Sequence, residues 1–204
     1  MRTSDKTNTI VMTAMMMCLV LVTTYTFKIP TPFQGYVHLG DAMIFLSVLI
    51  VGKKYGAVAA AFGSALADLL GGYVAFAPWT FVIKGLMAVV MGLFIDAMVR
   101  RKKNRIKIAG VPLIEIIGMI VAGLVMVLGY GVADAVLAGN LMTGILSMPA
   151  NCGQFAAGVI IASILAAALY KTPAKKYFTY RLDEVAELFP QKPRARKLPG
   201  AFIE

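Results

Sequence analysis

Apolar residues are grouped into long runs along this chain, and short polar or glycine- and proline-containing stretches separate the runs. Runs of about 17–25 apolar residues can cross a lipid bilayer as α-helices. The second run is short, and part of 34–38 extends it in this interpretation. The fold class predicted from the pattern is all-α, an integral membrane bundle of six transmembrane helices, at residues 9–27, 39–51, 55–70, 78–99, 112–138 and 147–170.

The composition supports a membrane protein. Of the 204 residues, 59% are hydrophobic and 15% are charged, whereas soluble domains have about 45–50% apolar and about 25% charged residues. A soluble domain of this size cannot hide such an apolar excess in its core, and disordered chains are poor in apolar residues. One histidine and two cysteines, Cys18 and Cys152, in apolar stretches argue against a metal site or a disulfide framework. No cofactor is predicted.

Positive charge is concentrated on one side of the predicted bundle. With six crossings, all 20 lysine and arginine residues except Lys28 and Lys84 lie before the first helix, in the second and fourth connections, or after the sixth helix. Because basic segments stay in the cytoplasm, both termini are predicted to be cytoplasmic, and the net charge of +10 requires no nucleic acid partner. The first run could also be a cleaved signal peptide, but its length and the lack of a cleavage site at 23–27 favour a retained helix.

The chain divides into two predicted segments. Residues 1–170 form a six-helix substrate-binding membrane domain, and 171–204 form a polar, basic cytoplasmic tail. Within the tail, 183–189 could form a short amphipathic helix that docks on a partner. A solvated tail that lies near the lipid headgroups is the simpler interpretation.

Polar residues inside the predicted helices lie mostly in the half of the bundle opposite the basic connections. Ionisable residues in membrane helices are costly and usually face a protein interior or a water-filled cavity. We therefore predict an outward-facing ligand pocket, and the alternative is a set of interfacial caps and interhelical hydrogen bonds. The candidate substrate-binding residues are His38, Asp41, Asp68, Trp79, Lys84, Tyr130, Asp134, Asn151 and Gln154. Asp96 and Glu115, in the other half, are expected to pair with basic loop residues.

Several of these candidates have a second interpretation. Lys84 lies too deep to reach outward easily, and we expect it to pair with Asp68 or Asp134 or to meet the ligand. Asp41 could cap a helix N-terminus, and Trp79 could belong to the aromatic belt of the bilayer interface. His38 could be an interfacial loop residue.

The sequence has no motif of a catalytic site. It lacks the phosphate-binding pattern G-x-x-x-x-G-K-[ST] and the patterns G-x-S-x-G, H-E-x-x-H and C-x-x-C. It also shows no clear inverted repeat, a feature of many secondary carriers. The chain is therefore predicted not to be an enzyme, and a stand-alone secondary transporter is the less favoured alternative.

Several stretches together resemble a substrate-binding S component of an energy-coupling-factor (ECF) vitamin transporter, in the riboflavin-type branch. The stretches are Val-His-Leu-Gly-Asp-Ala at 37–42, 55–73 with Ala-Asp-Leu-Leu-Gly-Gly-Tyr at its end, Ala-Pro-Trp-Thr at 77–80 with the following Lys-Gly at 84–85, and Asn-Cys-Gly-Gln at 151–154. The resemblance covers roughly 8–170 and leaves out the tail.

The resemblance implies six helices that cross a bacterial plasma membrane, with both termini on the cytoplasmic side. It also implies a pocket capped by the loop at about 28–37. It also implies a membrane T component and two ATPase subunits as partners. The ATPase subunits hydrolyse ATP while the S component carries its vitamin inward. Family members commonly dock on the T component through an A-x-x-x-A motif on the first helix. The matching positions here are Ala14 and Cys18, and the cysteine departs from the motif but remains small.

The candidate residues also bear on which vitamin is bound. Three carboxyl groups, at Asp41, Asp68 and Asp134, face a single lysine, Lys84, so the lining disfavours carboxylate ligands. It favours a small neutral or basic heterocycle that is rich in hydroxyl or amino groups. Within the branch we favour pyridoxine or hydroxymethylpyrimidine, with riboflavin as the alternative.

Overall fold

The computed structural model of the chain describes residues 3–30, 36–100 and 106–180. Five helices in this part of the chain are long and apolar enough to cross a membrane. The helices are α1 (Thr3–Thr26), α2 (Gly40–Leu70), α3 (Ala77–Arg100), α4 (Leu113–Ala138) and α5 (Leu141–Tyr170). A 3₁₀ helix at Pro173–Tyr177 follows α5.

Two short antiparallel hairpins interrupt the helices. In the first, β1 (Lys28–Pro30) pairs with β2 (Tyr36–His38) between α1 and α2. In the second, β3 (Lys107–Ile108) pairs with β4 (Val111–Pro112) between α3 and α4. The first hairpin includes both ends of the predicted capping loop, and the remaining loop residues, 31–35, lie outside the described part.

The second and third predicted helices follow each other directly within α2, and Gly52 makes the turn between them. This residue has non-helical backbone angles, φ 77° and ψ 173°, in a region that glycine adopts without a Cβ clash. A Cβ atom added to Gly56 would lie 2.9 Å from the Cα of Val48, whereas eight residues of a straight helix rise about 12 Å. The chain therefore turns back at Gly52, and the two halves of α2 pack against each other. The predicted connection at 52–54 is thus a turn that one residue makes.

Small residues let the helices approach closely. α2 packs on α1 and α3, α4 packs on α3 and α5, and α5 also returns to α2. A Cβ atom on Gly63 would lie 2.7 Å from the carbonyl oxygen of Met17 in α1, and one on Gly158 would lie 2.9 Å from the Cβ of Asp41. Such close approach stabilises membrane helices through van der Waals contacts. The core between the helices is rich in methionine, at Met16, Met87, Met91, Met119 and Met126.

One end of the bundle, here called the basic end, holds Gly52, Lys53 and the chain that follows α5. Thr179 donates a backbone hydrogen bond to the carbonyl of Leu49 (2.9 Å) and a hydroxyl hydrogen bond to the carbonyl of Ile50 (2.8 Å). These carbonyls belong to the last turn before Gly52, where a helix leaves its acceptors unpaired. Residues 178–180, which the sequence interpretation assigned to a solvated tail, thus pack on the bundle. The remaining 181–204, including the predicted helix at 183–189, lie outside the described residues.

The two acidic residues of this end have different partners. Asp96 pairs with Lys53 at 2.6 Å, as the interfacial interpretation expected. Glu115 is buried and accepts hydrogen bonds from the Tyr170 hydroxyl at 2.7 and 2.8 Å. Tyr170 is the last residue of α5, so this contact joins the start of α4 to the end of α5.

Candidate functional site

A cavity lies at the opposite end of the bundle, here called the polar end, beneath strand β2. The volume of the cavity is about 30 Å³, which is room for about two water molecules. Strand β2, the end of α2, the start of α3 and one face each of α4 and α5 supply the lining. The lining residues are Tyr36, Val37, His38, Asp68, Phe76, Thr80, Tyr130, Asp134, Ser147, Ala150, Asn151 and Gln154.

Helical spacing explains why α4 and α5 each bring several polar groups to this cavity. Residues three or four apart share one face of a helix. Tyr130 and Asp134 are four apart on α4, and Ser147, Asn151 and Gln154 follow the same spacing on α5. Both helices therefore turn a polar stripe towards the cavity and an apolar surface away from it.

Asp68, in the last turn of α2, is the most distinctive group in the lining. The side chain is only 3% exposed. Its Oδ1 accepts a hydrogen bond from the Tyr36 hydroxyl at 2.5 Å. Its Oδ2 is buried with no donor at hydrogen-bond distance and angle among the described residues, and the Thr80 hydroxyl is the nearby protein group that interacts with this carboxylate. A buried polar atom without a partner is costly, so this oxygen favours a ligand that brings a donor. Burial and the Asp68 carboxylate raise the pKa of the Tyr36 phenol above its usual range.

An ion pair lies behind the cavity wall. Lys84 of α3 pairs with Asp41 in the first turn of α2, and both side chains are fully buried. The Lys84 ammonium also lies 3.0 Å from the Met126 sulfur and 5.2 Å from the centre of the Tyr130 ring. The predicted pairing of Lys84 with Asp68 or Asp134 is therefore wrong, because the first turn of α2 faces α3 at this depth.

Gln154 connects this ion pair to strand β2. Its side-chain nitrogen donates to Asp41 Oδ2 at 2.7 Å, and its oxygen accepts from the backbone N–H of His38 at 3.0 Å. The capping interpretation of Asp41 is also wrong, since its carboxylate accepts from Lys84 and Gln154 and the N-cap residue is Leu39. Gln154 thus borders the cavity with both ends of its amide bonded to protein groups.

His38 is buried and neutral. Burial and, after it, the nearby Lys84 charge lower the pKa of its imidazole to about 3. The Nδ1 atom accepts a hydrogen bond from the backbone N–H of Gly40 at 3.0 Å. Since Lys84 and Asp41 neutralise each other behind the wall, the charged residue types that line the cavity are Asp68 and Asp134.

The structure brings six of the nine predicted substrate-binding residues to the lining of this cavity. Asp41 and Lys84 lie behind it, and Trp79 is half-buried and packs against the core instead. The sequence interpretation missed Tyr36, Phe76, Thr80 and Ser147. Ser147 lies four residues before Asn151, a spacing that could have indicated it. Thr80 accepts a hydrogen bond from the Tyr130 hydroxyl at 3.0 Å, and it lies four residues before the candidate Lys84, a spacing that could have indicated it.

Comparison with known proteins gives the family. Residues 4–171 match the sequence model of the ECF-type riboflavin transporter S component. The chain belongs to this family. The chain is also 40% identical over 112 residues to an uncharacterized protein from Pyrococcus woesei. The match covers 54% of this chain and 68% of that protein.

Family membership confirms the resemblance found in the sequence. The protein is a membrane-spanning transport protein of vitamin uptake, and S components are the vitamin-binding subunits of ECF transporters rather than enzymes. The family implies association with a T component and ATPases. The chain is therefore a subunit of a transporter.

The predicted docking positions of this S component lie on the outer side of α1. Ala14 and Cys18 are both exposed, and they are one turn apart on the helix. The exposed apolar residues Met15, Leu19 and Val22 flank them. This face is uncovered in the described chain, and docking of the T component on it stays a prediction.

Proposed function

We propose that this chain is the high-affinity substrate-binding subunit of an ATP-driven vitamin importer. It binds a small water-soluble vitamin in the cavity at the polar end and delivers it inward with a T component and two ATPase subunits. The observation that carries the proposal is the buried Oδ2 of Asp68, which lacks a partner beside a cavity lined with polar groups from four helices.

The proposed topology has six crossings of the plasma membrane and both termini in the cytoplasm. The reversal at Gly52 supports it, because it divides α2 into two antiparallel segments. The concentration of basic residues at one side supports the orientation. The first segment, 40–51, is about 18 Å long, shorter than the hydrocarbon core of about 30 Å. In this topology the β1–β2 hairpin and the cavity occupy the remaining depth.

The proposed ligand is a small neutral or basic heterocycle rich in hydrogen-bond donors. No lysine or arginine is among the described residues that line the cavity, and two carboxyl groups are. The rings of Tyr36, Phe76 and Tyr130 offer surfaces on which a flat ring can pack. We favour pyridoxine or hydroxymethylpyrimidine, and riboflavin is the alternative.

Thermal unfolding of the detergent-purified chain across a panel of B vitamins and precursors tests the proposal. A ligand that binds only the folded state stabilises it by about 4 kcal/mol at a thousandfold excess over Kd. We expect one compound to raise the unfolding temperature strongly in the wild type. Asp68→Asn should weaken this effect without preventing membrane insertion, and Asn151→Ala should do the same. Normal binding by both variants would mean that the cavity residues are structural.

Co-expression separates an importer subunit from a stand-alone secondary transporter. We expect the tagged chain to recover a T component and two ATPase subunits from membranes. Uptake of the vitamin should then depend on ATP hydrolysis. Vitamin uptake by the chain alone, driven by an ion gradient, would contradict the proposal.

A further inference from the structure

The side chain of Tyr36 occupies the space above Asp68 where a ligand would bind. The hydroxyl of Tyr36 donates to Asp68 Oδ1, and its ring centre lies 4.6 Å from that of Tyr73 and 5.5 Å from that of His38. Tyr36 comes from strand β2, outside the helices, whereas Asp68 ends α2. A phenol of the chain itself is thus held by an aromatic contact on its ring and a carboxylate on its hydroxyl.

The remaining cavity is too small for any ring. It measures about 30 Å³, and a cavity of about 150 Å³ is what holds a single benzene ring. A six-membered ring can enter this cavity only if a side chain of its lining leaves. Tyr36 is the side chain whose departure would free both the ring-sized space and the Asp68 oxygen.

We propose that Tyr36 is a tethered occupant of the ligand site, and that the ligand is a flat aromatic ring with its own ring hydroxyl, which replaces the phenol of Tyr36 at Asp68. This inference rests on the proposed function and adds to it a chemical class of ligand. Pyridoxine, a hydroxypyridine, belongs to this class when it binds as its neutral tautomer, in which the ring oxygen keeps its proton and the ring nitrogen has none. Hydroxymethylpyrimidine, whose ring carries an amino group and no hydroxyl, does not.

In this exchange, the hydrogen bond that Asp68 loses from Tyr36 is replaced by one from the ligand. Asp68 Oδ1 gives up the donor of Tyr36 and receives the donor of the ligand, and the buried Oδ2 can take a second donor from the same ring or its substituents. The released Tyr36 hydroxyl returns to water. The net gain on binding is therefore smaller than the strength of the new bond, because an existing bond is broken.

A pair of ligands on the wild-type chain is the first test. We expect pyridoxine to bind about ten- to a hundredfold more tightly than the analogue in which hydrogen replaces the ring hydroxyl, since a hydrogen bond to a charged group is lost. Titration calorimetry in detergent measures both dissociation constants. Equal affinities, or no binding of pyridoxine, would overturn the inference.

Tyr36→Phe is the second test, because it keeps the ring and removes the competing hydroxyl. We expect the affinity for pyridoxine to rise about two- to tenfold. Tyr25→Phe is the matched control: Tyr25 lies near Tyr36 beside Lys28 but does not line the cavity, and its change should leave the affinity unaltered. Weaker binding by Tyr36→Phe would show that the hydroxyl contacts the ligand rather than competing with it.

The outcomes distinguish this inference from the proposed function. If riboflavin or hydroxymethylpyrimidine stabilises the chain and pyridoxine does not, the chain is still a vitamin-binding subunit and the inference is wrong. If no vitamin stabilises the folded chain and no T component is recovered, the proposed function itself fails. If Tyr36→Phe does not fold, the ligand pair on the wild type still decides.

Discussion

Two lysine–aspartate pairs join α2 to α3, one at each end of the bundle. At the polar end, Lys84 and Asp41 are completely buried. At the basic end, Lys53 and Asp96 pair at 2.6 Å with 30% and 33% of their side chains exposed. The residue types are the same, so the difference between the pairs comes from their surroundings.

The comparison shows how the two ends are held together. A buried pair is held in a low-dielectric interior, where the loss of one partner leaves an uncompensated charge. A half-exposed pair is screened by water and salt and contributes little. The basic end relies instead on Thr179, which bonds the carbonyls before Gly52, and on the Tyr170–Glu115 contact. The polar end therefore depends on a buried ion pair, and the basic end on hydrogen bonds at the Gly52 turn and at the end of α5.

Removal of the buried lysine should have the largest effect. Lys84→Met leaves Asp41 charged and buried, and we expect a loss of about 3–5 kcal/mol in the free energy of unfolding. The double variant with Asp41→Asn should recover most of that loss, because no buried charge remains. Denaturant unfolding in detergent measures both. A single variant as stable as the wild type would mean that water reaches the pair.

Acid should destabilise the polar end through His38. The pKa of His38 is about 3 in the folded chain against 6.5 for an ordinary histidine, so the unfolded chain binds the proton first as the pH falls. The stability from neutral His38 is complete above about pH 6.5 and declines below it, by about 2 kcal/mol between pH 7 and pH 5. His38→Asn, which keeps a hydrogen-bond acceptor, should remove this part of the pH dependence. An unchanged slope would contradict the prediction.

A smaller loss is expected from the turn at the basic end. Gly52→Ala places a Cβ atom at a positive φ and 3.2 Å from the Thr179 side chain. The expected cost is about 1–2 kcal/mol, with no change in vitamin affinity because the cavity is at the other end. Gly72 also has a positive φ, but its surroundings are open, so Gly72→Ala separates the backbone strain from the steric contact. A large change in affinity for Gly52→Ala would show that the two ends are coupled.

The smallest effect is expected at the half-exposed pair. Lys53→Met should change the free energy of unfolding by about 1 kcal/mol or less. The change should shrink further in high salt, which screens the wild-type pair. Unfolding curves at low and high ionic strength test this. A loss as large as that of Lys84→Met would remove the distinction between the two ends.

The helices could be predicted from the sequence because apolar runs of bilayer length have few other uses in a folded protein. The break between the 39–51 and 55–70 runs is also predictable from the sequence, but not that Gly52 alone makes the turn. A glycine with positive φ can reverse a helix in one residue, and the sequence Gly-Lys-Lys does not reveal whether a turn uses one residue or four. The docking of Thr179 was missed because it depends on carbonyls that only this turn exposes.

The sequence predicts at which end of the bundle the candidate site lies, but not which partners its side chains face. Polar residues inside apolar runs placed Asp68, Asp134, Asn151 and Gln154 at one end. Which carboxylate faces Lys84 depends on helix rotation and packing, and hydropathy does not report either. Tyr36 lies in strand β2, outside the helices, so an argument from polar residues in helices could not reach it.

The side chain of Gln154 links the buried carboxylate of Asp41 to strand β2, which covers the cavity. Its amide has one favourable orientation, with the nitrogen towards the Asp41 carboxylate and the oxygen towards the His38 N–H. A flipped amide would set oxygen against carboxylate and N–H against N–H, so the negative charge of Asp41 selects the orientation. That orientation in turn fixes the height of β2 above α5. The buried carboxylate of Asp41 thereby helps to position strand β2 at the polar end, through the side chain of Gln154.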